Sequence, residues 1–304
     1  MNYEESLIIK TAWYYYLENM TQQRIAEILG ISRIRVIKLL EKARQTGVIQ
    51  FKVRKDSASR MALEKKLCEK YNLHDSFVVP TNPEADGVNE TIAKAAAMYI
   101  GDRIDENTIL NIGYGDTPSR VLNNLAMMSE KPITCISLTG GVNYYLPNTH
   151  SQTFNARLFL MPAPLIASSG ALASAMRQEA AVTEISRMAL LSGISVVGIG
   201  GMSEDATILK SGILSKNDMY YLKMQGAVGD ILSHFLDEDG NLLNNDVEDR
   251  LISTPLETIK NLENVIGVAA GNAKIAAIRA VLRGAYLDVF ITDENTAQQL
   301  LENE

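Results

Sequence analysis

Two charged residues stand within runs of small residues, where a side chain can reach a small molecule without obstruction. Asp230 lies in Gly226–Ile231, and Lys274 follows Ala269–Ala273 at the predicted start of a helix. A cation at a helix start opposes the helix dipole, so the position of Lys274 favours an anion bound there. The carboxylate of Asp230 can accept hydrogen bonds from ligand hydroxyl groups. The plainer interpretations are a surface lysine and an aspartate that caps a helix.

Two glycine-containing segments, Gly113–Thr117 and Thr139–Gly141, come directly after predicted strands. In the first, the helix that begins near Pro118 would offer backbone N–H groups to an anion, although Asp116 suits sugar hydroxyls better than a phosphate. The alternative is that both segments are turns that merely need glycine. Together with the two charged residues, they supply the predicted ligand contacts Gly113, Tyr114, Gly115, Asp116, Thr117, Thr139, Gly140, Gly141, Asp230 and Lys274.

The segment from Pro132 to Met176 contains Arg157 as its only Lys, Arg, Asp or Glu residue. A membrane span is disfavoured because prolines and polar residues interrupt the apolar run. Two interpretations remain, a strand buried on both faces and a subunit or ligand interface. We expect both, a buried strand followed by a neutral polar wall, in which Gln152 and Asn155 would bind hydroxyl groups.

Basic side chains are concentrated on a predicted helix from Arg33 to Gln45. If Val36, Leu39 and Leu40 face the core, the opposite face carries Arg33, Ile34, Arg35, Ile37 and Lys38. Arginine can grip guanine through two hydrogen bonds, and an exposed isoleucine suits a thymine methyl group. The remaining predicted DNA contacts, several of them to phosphates, are Tyr15, Thr21, Gln22, Ser32, Lys52 and Arg54. The alternative is a small helical module with a solvated basic face.

Sequence motifs for catalysis or metal binding are missing. The three histidines (His74, His150 and His234) share no motif, and the chain has neither a G-x-S-x-G segment nor a phosphate-binding Walker loop. Gly198–Ser203 imitates a dinucleotide fingerprint, but Ser203 replaces its third glycine. Cys68 and Cys135 lie far apart, which excludes a disulfide scaffold and fits a reducing compartment. No apolar run follows the acidic N-terminus, so we expect a cytoplasmic protein without a signal peptide.

The elements that must position the basic face form a helix-turn-helix. Three helices are predicted from about Glu4 to Glu18, Gln22 to Leu29 and Arg33 to Gln45. Gly30 ends the second helix in a tight turn, and Ile31 is the turn's buried residue. A strand-like segment from Val48 to Arg54 supplies the wing. These features predict a winged helix-turn-helix that reads the major groove of double-stranded DNA.

The remainder of the chain alternates short apolar runs with helical stretches, which predicts an α/β fold with a doubly wound, mainly parallel sheet. Strands are predicted at 77–79, 108–112, 133–138, 194–198, 265–269 and 289–292. Helices are predicted near 89–104, 118–128, 172–191, 216–225, 274–283 and 294–303. The expected domains are a DNA-binding domain (1–56), a linker helix (57–72) and a ligand-binding and oligomerisation domain (73–304).

Charge divides along the same boundary. The net charge of −7 argues against a nucleic-acid partner only when the chain is taken whole. Residues 1–56 carry ten Lys/Arg and six Asp/Glu, whereas residues 57–304 carry 19 Lys/Arg and 30 Asp/Glu. The larger domain must therefore supply local positive charge for an anionic ligand, and Lys274 is its best candidate.

Taken together, the motifs resemble the SorC/DeoR family of sugar-responsive bacterial transcriptional regulators. The resemblance covers nearly the whole chain. It rests on Thr21–Ala26, Leu39-Leu40, Gly113–Gly115, Thr139–Gly141, Met161–Leu165, Gly226–Ile231 and Thr292–Glu294. It implies a winged head, an effector domain related in fold to sugar-phosphate isomerases, a homo-oligomer (dimer or tetramer) and a phosphorylated sugar as effector. It also places Lys274 and the Gly113–Thr117 loop in the effector site, with Asp230 beside them.

Within that family, the chain is most similar to the Lsr-type repressors, which sense phosphorylated autoinducer-2. Ala12–Tyr16, Leu39–Lys42, Pro162–Ser169 and Asp205–Ile208 carry this resemblance. Thr139 stands where some family members have a Schiff-base lysine, and Asp116 where many have Arg or Thr, so this chain departs from both patterns. We expect a DNA-binding repressor without enzymatic activity, cofactor, metal or membrane partner. The alternatives are a sugar-phosphate isomerase or deaminase with a DNA-binding head, and a redox sensor that binds NADH.

Overall fold

A computed structural model of the protein describes residues 3–18, 20–49, 55–81, 87–105, 107–129, 132–141 and 155–302. The chain divides into two compact units, Met1–Ala58 and Ser59–Glu304.

The N-terminal unit contains three helices, α1 (Tyr3–Tyr16), α2 (Gln22–Leu29) and α3 (Arg33–Gln45). Their apolar faces pack together through residues that include Leu7, Ala12, Ile25 and Leu39. The predicted bounds of α2 and α3 are confirmed. The predicted wing lies largely outside the described residues.

Capping fixes the ends of these short helices. Thr21 precedes α2, and its side chain accepts a hydrogen bond from the backbone N–H of Arg24. Ser32 precedes α3 and accepts one from Arg35 in the same way. Gly30, with φ 64°, ends α2 in the left-handed conformation, which glycine adopts at little cost. The turn between α2 and α3 therefore follows from the sequence.

A central sheet organises the C-terminal unit. Its strands are β1 (Asp75–Val79), β2 (Ile109–Ile112), β3 (Ile133–Ser137), β4 (Ala156–Phe159), β5 (Ile194–Gly201), β6 (Gly229–Ile231), β7 (His234–Leu236), β8 (Val265–Val268) and β9 (Val289–Asp293). Seven of them form a parallel series in the order β1-β9-β8-β5-β2-β3-β4. The pair β6–β7 is an antiparallel hairpin that joins β5 in an antiparallel register. The prediction of a mainly parallel sheet is confirmed, whereas β4, β6 and β7 were not predicted.

Helices cover both faces of this sheet. They are α4 (Lys55–Tyr71), α5 (Val88–Gly101), α6 (Asp116–Met128), α7 (Gly170–Gln178), α8 (Ala180–Ala189), α9 (Thr207–Lys210), α10 (Lys216–Met224), α11 (Asp246–Arg250), α12 (Leu256–Ile259), α13 (Ile275–Arg283) and α14 (Glu294–Leu301). The division between the two units falls within α4. The single helix predicted near 172–191 is wrong, because Glu179 has extended backbone between α7 and α8.

Two apolar clusters show which helices pack on each face. On one face, Val197 of β5 and Phe290 of β9 pack in a cluster with α8, α13 and α14. On the other face, Val196 and Ile291 pack in a cluster with α5 and α6. Successive strand residues thus point to opposite sides, as a sheet buried on both faces requires. A third cluster beyond the end of β5 joins α9, α10 and β7.

The described residues contain no helix with the length and apolar composition needed to cross a membrane. Nor do they contain three or more His, Cys, Asp or Glu residues grouped so as to hold a metal ion. Cys68 and Cys135 are both free thiols.

Candidate functional sites

Lys274 lies where the chain leaves β8 at the carboxyl edge of the sheet. After Gly271, whose φ is 108°, a 3₁₀ turn from Asn272 to Lys274 leads into α13. At the end of β5, a Cβ atom on Gly201 would lie 3.3 Å from Cγ of Lys274, so glycine gives the lysine stem its room. Burial lowers the pKa of Lys274, while the carboxylates of Asp230 and Asp116 favour the charged form. Lys274 is thus a desolvated cation near two acids.

Asp230 reaches the same end of β5 from the neighbouring strand β6. It is paired in register with Gly200, and a Cβ atom there would collide with the Asp230 carboxylate. Its Oδ2 atom accepts a hydrogen bond from the backbone N–H of Ser233 at 3.0 Å. Burial raises the pKa of Asp230 to about 6, although Ser233, Lys274 and His234 act in the opposite direction. Asp230 therefore belongs to a hairpin and caps no helix.

The turn of the β6–β7 hairpin connects Asp230 to the glycine loop that follows β2. Leu232 and Ser233 form the turn with φ values of 53° and 67°, an unusual conformation for residues other than glycine. Leu232 packs so closely on Gly113 that a Cβ atom there would lie 2.7 Å from Cδ2 of Leu232. Only glycine at position 113 fits this contact.

The Gly113–Thr117 loop leads from β2 into α6. Gly115 has a φ of 137° and, among the described residues, gives the start of α6 no side-chain cap. The first N–H groups of a helix have no partner inside that helix, so this start can hold an anion. Tyr114 is buried, and its hydroxyl lies 3.1 Å from Oγ of Ser211. Thr117 is buried as well.

Asp116 forms an ion pair with Arg120 of the same helix. Its Oδ1 and Oδ2 atoms accept hydrogen bonds from Nε of Arg120 at 3.1 and 2.9 Å, and Oδ2 accepts a third from Asn89 at 3.0 Å. Arg120 also pairs with Glu90 at 3.1 Å, so its positive charge is shared by two carboxylates and relieves only part of the conflict between Asp116 and a phosphate. The spacing of four residues along α6 was a sequence signal for the pair of Asp116 and Arg120.

The second glycine segment is engaged in packing. Thr139 is completely buried, and its Oγ1 atom lies 2.9 Å from the carbonyl oxygen of Gly140. A Cβ atom on Gly140 would collide with the backbone of Pro164. Gly141 donates its N–H to the carbonyl of Ala163 at 2.9 Å. The geometry favours the plainer interpretation for this segment, which is a turn that needs glycine.

Asn155 does not join the group at the carboxyl edge. It stands before β4, where its carbonyl accepts the N–H of Ile133 at the start of β3. Its Nδ2 atom donates to the carbonyl of Ser129 at 3.2 Å. The amino ends of parallel strands lie at the opposite edge of the sheet, so the prediction for Asn155 is corrected. Gln152 lies outside the described residues. The buried strand expected in this segment is β3, whereas β4 is an outer strand of the parallel series.

In the N-terminal unit, α3 has the two faces that the sequence predicts. Val36, Leu39 and Leu40 are buried. The opposite face exposes Arg33, Ile34, Arg35, Ile37 and Lys38. Ile34 and Ile37 are 68% and 43% exposed, unusual positions for isoleucine that a base-methyl contact would explain. The exposed face of α3 presents both hydrogen-bond donors and apolar groups.

A groove of about 650 Å³ lies beside this face. It is lined by Tyr15, Thr21, Gln22 and Arg33, among others, and it includes the start of α2. A helix start, a guanidinium group and hydroxyl groups together suit a backbone phosphate. The predicted wing contacts Lys52 and Arg54 lie outside the described residues.

Comparisons with known proteins match both units of the chain. A family model described as "Putative sugar-binding domain" matches residues 55–302, and one described as "Sigma-70, region 4" matches residues 2–46. The chain is 32% identical to the transcriptional regulator LsrR of Klebsiella pneumoniae over 98% of its own length and 93% of that protein's. The LsrR of Escherichia coli is also 32% identical, over 99% of this chain and 96% of the relative.

Solved structures share the fold. The full-length sorbitol operon regulator SorC from Klebsiella pneumoniae has a TM-score of 0.71 and 23% identity, covering 99% of this chain and 100% of its own. A transcriptional regulator from Streptococcus pneumoniae has a TM-score of 0.70 and 26% identity, covering 81% of this chain and 98% of its own. The SorC structure shares the fold of both units of this chain.

Proposed function

The chain belongs to the SorC/DeoR family of sugar-responsive, DNA-binding transcriptional regulators, and from that premise we propose that a phosphorylated sugar-like molecule controls it. Like its relatives, it is a regulator rather than an enzyme. DNA and a small-molecule effector are accordingly its partners. We further propose that it acts as a repressor and binds DNA as a homo-oligomer, because paired helix-turn-helix units match two-fold symmetric operators.

The observation that carries the effector proposal is the desolvated cation Lys274 between the starts of α6 and α13. A phosphate bound there would receive N–H groups from the start of α6 and positive charge from Lys274. Asp230, whose carboxylate also favours the charged form of Lys274, would accept hydrogen bonds from sugar hydroxyls. The effector would thereby contact β2, β6 and β8 around the end of β5, the position at which open parallel sheets bind ligands.

Phosphorylated autoinducer-2 is the effector that we propose to test first. Its support is the similarity of the motifs to Lsr-type repressors, together with a site that offers both an anion position and a hydroxyl acceptor. A thermal-shift screen of phosphorylated sugars that includes this molecule would identify the effector. DNA recovered by in vitro selection with the full-length protein would then serve in gel shifts with each hit.

Lys274→Ala should abolish the effector response and leave DNA binding intact. The effector is expected to change DNA affinity between about 5-fold and 150-fold in the unaltered protein, which corresponds to about 1–3 kcal/mol of coupling. Lys223→Ala is the matched control, because Lys223 is exposed on α10. A normal response in Lys274→Ala would remove Lys274 from the effector site.

Arg35→Ala should weaken sequence preference in the DNA contact. Loss of a two-bond contact to guanine should reduce discrimination at one base pair by about 1–3 kcal/mol. Arg44→Ala, near the other end of the same helix, is the control. Competition gel shifts with single-base variants of the selected DNA measure the preference. An equal loss for all sequences, with a smaller salt dependence, would make Arg35 a phosphate contact instead.

A further inference from the structure

A second cavity of about 750 Å³ lies in the C-terminal unit, and none of the proposed effector contacts lines it. Arg177 of α7, Ser186 of α8, Glu257 of α12 and Tyr286 contribute to its walls. Cavities of this volume bind small molecules. The residues that line it show which chemistry such a molecule needs.

Each hydroxyl group that lines this cavity already donates a hydrogen bond to a backbone carbonyl. Ser186 donates to the carbonyl of Val182 at 3.0 Å, Ser253 to that of Leu232 at 3.0 Å, and Tyr286 to that of Gly240 at 2.8 Å. A hydroxyl that donates keeps its oxygen as an acceptor. The carboxylates of Asp249 and Glu257 add further acceptors. A complementary ligand must therefore bring several donors.

The charged groups of the lining comprise three carboxylates, Glu248, Asp249 and Glu257, and two cations, Arg177 and Lys260. Arg177 donates to the backbone carbonyls of Asp249 and Leu251, and Glu248 contacts Nδ1 of His234 at 3.0 Å. Carboxylates thus outnumber cations, which disfavours an anionic ligand such as a phosphorylated sugar. Hydroxyl groups can bring several donors without adding a charge.

The apolar part of the lining fits the same ligand class. Val182, Leu242, Pro255 and Leu256 give the cavity surfaces on which C–H groups can pack. Sugars and polyols combine C–H surfaces with rows of hydroxyl groups, whereas a phosphorylated ligand would need an excess of positive charge.

Hydrogen bonds connect the cavity to the elements that carry the effector contacts. Ser253 lines the cavity and binds the carbonyl of Leu232 in the hairpin turn, next to Ser233 and Asp230. Ser253 also forms a β-bridge with Thr139. A molecule that fills the cavity would thus contact the back of the hairpin that holds Asp230.

We propose that this cavity is a second ligand site, which binds a small neutral polyol or unphosphorylated sugar behind the effector site. The site stands independently of the proposed phosphorylated effector, since the two share no lining residue. Its ligand would contact His234 of β7 and Ser253, which donates to the carbonyl of Leu232 in the hairpin turn.

Isothermal titration of the full-length protein with D-sorbitol and with D-ribose tests the proposal. We expect saturable binding in the millimolar range, weakened at least about tenfold by Leu242→Trp, which places a larger side chain in the cavity wall. Leu190→Trp is the matched control, because Leu190 is an exposed leucine that does not line the cavity. Glu257→Ala, with Glu263→Ala as its control, removes one acceptor without filling space and should also weaken binding. Thermal melts verify that each variant is folded.

The effector-site variant Lys274→Ala separates this proposal from the previous one. Polyol binding that survives in Lys274→Ala and fails in Leu242→Trp supports a second site. Three outcomes overturn it: no saturable binding of either probe, equal binding by Leu242→Trp and Leu190→Trp, or loss of binding in Lys274→Ala. The last outcome would mean that the probes occupy the effector site.

Discussion

At the scale of single residues, the proposed effector site depends on two ionisable groups that burial moves toward neutrality. Burial lowers the pKa of Lys274 and raises that of Asp230 to about 6, and each favours the charged form of the other. A phosphate bound beside Lys274 would add a negative charge and favour the ammonium form. A ligand that carries both an anion and hydroxyl groups would complement these two residues.

The raised pKa of Asp230 predicts a pH dependence of stability. The folded protein retains this proton up to about pH 6, whereas an ordinary aspartate loses it near 3.8, so the free energy of unfolding falls as pH rises through that window. Asp230→Asn removes this contribution. Relative to the unaltered protein, the variant should gain about 1–3 kcal/mol between about pH 4.5 and about pH 7.5 in urea unfolding. Asp239→Asn, on an exposed turn, is the control. A stability difference between Asp230→Asn and the unaltered protein that is the same at both pH values would contradict the prediction.

At the scale of elements, β5 determines where the proposed ligand contacts meet. It pairs with β2 and β8 in parallel and with β6 in antiparallel. In the sequence, Gly198–Ser203 resembles only an imperfect dinucleotide fingerprint. In the structure, Gly198 makes room for Pro118, Gly200 for Asp230, and Gly201 for Lys274. The glycines serve close packing between elements.

Gly200→Ala tests this role of β5. The added methyl group would collide with the Asp230 carboxylate, so this side chain must leave its present position, at a cost of about 1–3 kcal/mol. We expect a weaker effector response in gel shifts with DNA affinity unchanged. Gly193→Ala is the control, because a Cβ atom there meets nothing within 4 Å. Equal behaviour of the two variants would show that the contact between Gly200 and Asp230 is unimportant.

The sequence predicted elements best where one local signal determines them. The bounds of α2 and α3 follow from Thr21, Gly30 and Ser32, and the parallel strands follow from short apolar runs. The β6–β7 hairpin was missed because its turn, Leu232-Ser233, lacks the asparagine and glycine typical of such turns. Contacts between distant segments, such as Lys274 with Gly201, depend on strand order, which periodicity does not reveal.

At the scale of the whole molecule, charge and compactness divide the chain at nearly the same position. The two units separate between Ala58 and Ser59, and the basic excess ends at residue 56. The family model of a sugar-binding domain begins at residue 55, near the same boundary. We therefore expect DNA binding and effector binding to be separable.

A truncated protein of residues 55–304, which keeps α4 complete, should bind the effector with the affinity of the full chain and should not bind DNA. The full-length protein should lose DNA affinity steeply as salt rises, because phosphate contacts release counterions. Isothermal titration and gel shifts over a salt series measure the two properties. Residual DNA binding by the truncated protein would place a nucleic-acid contact in the acidic unit.

The arrangement around β5 also concerns the survival of the protein in the cell. An effector that touches Gly113–Thr117, Asp230 and Lys274 ties together segments about 160 residues apart, which an unfolded chain cannot bring into one site. Such a molecule binds reversibly and holds these segments together in the native chain. At a hundredfold excess over its Kd, it protects the native state by about 2.7 kcal/mol against unfolding and proteolysis. Effector supply would then govern the lifetime of the regulator as well as its activity.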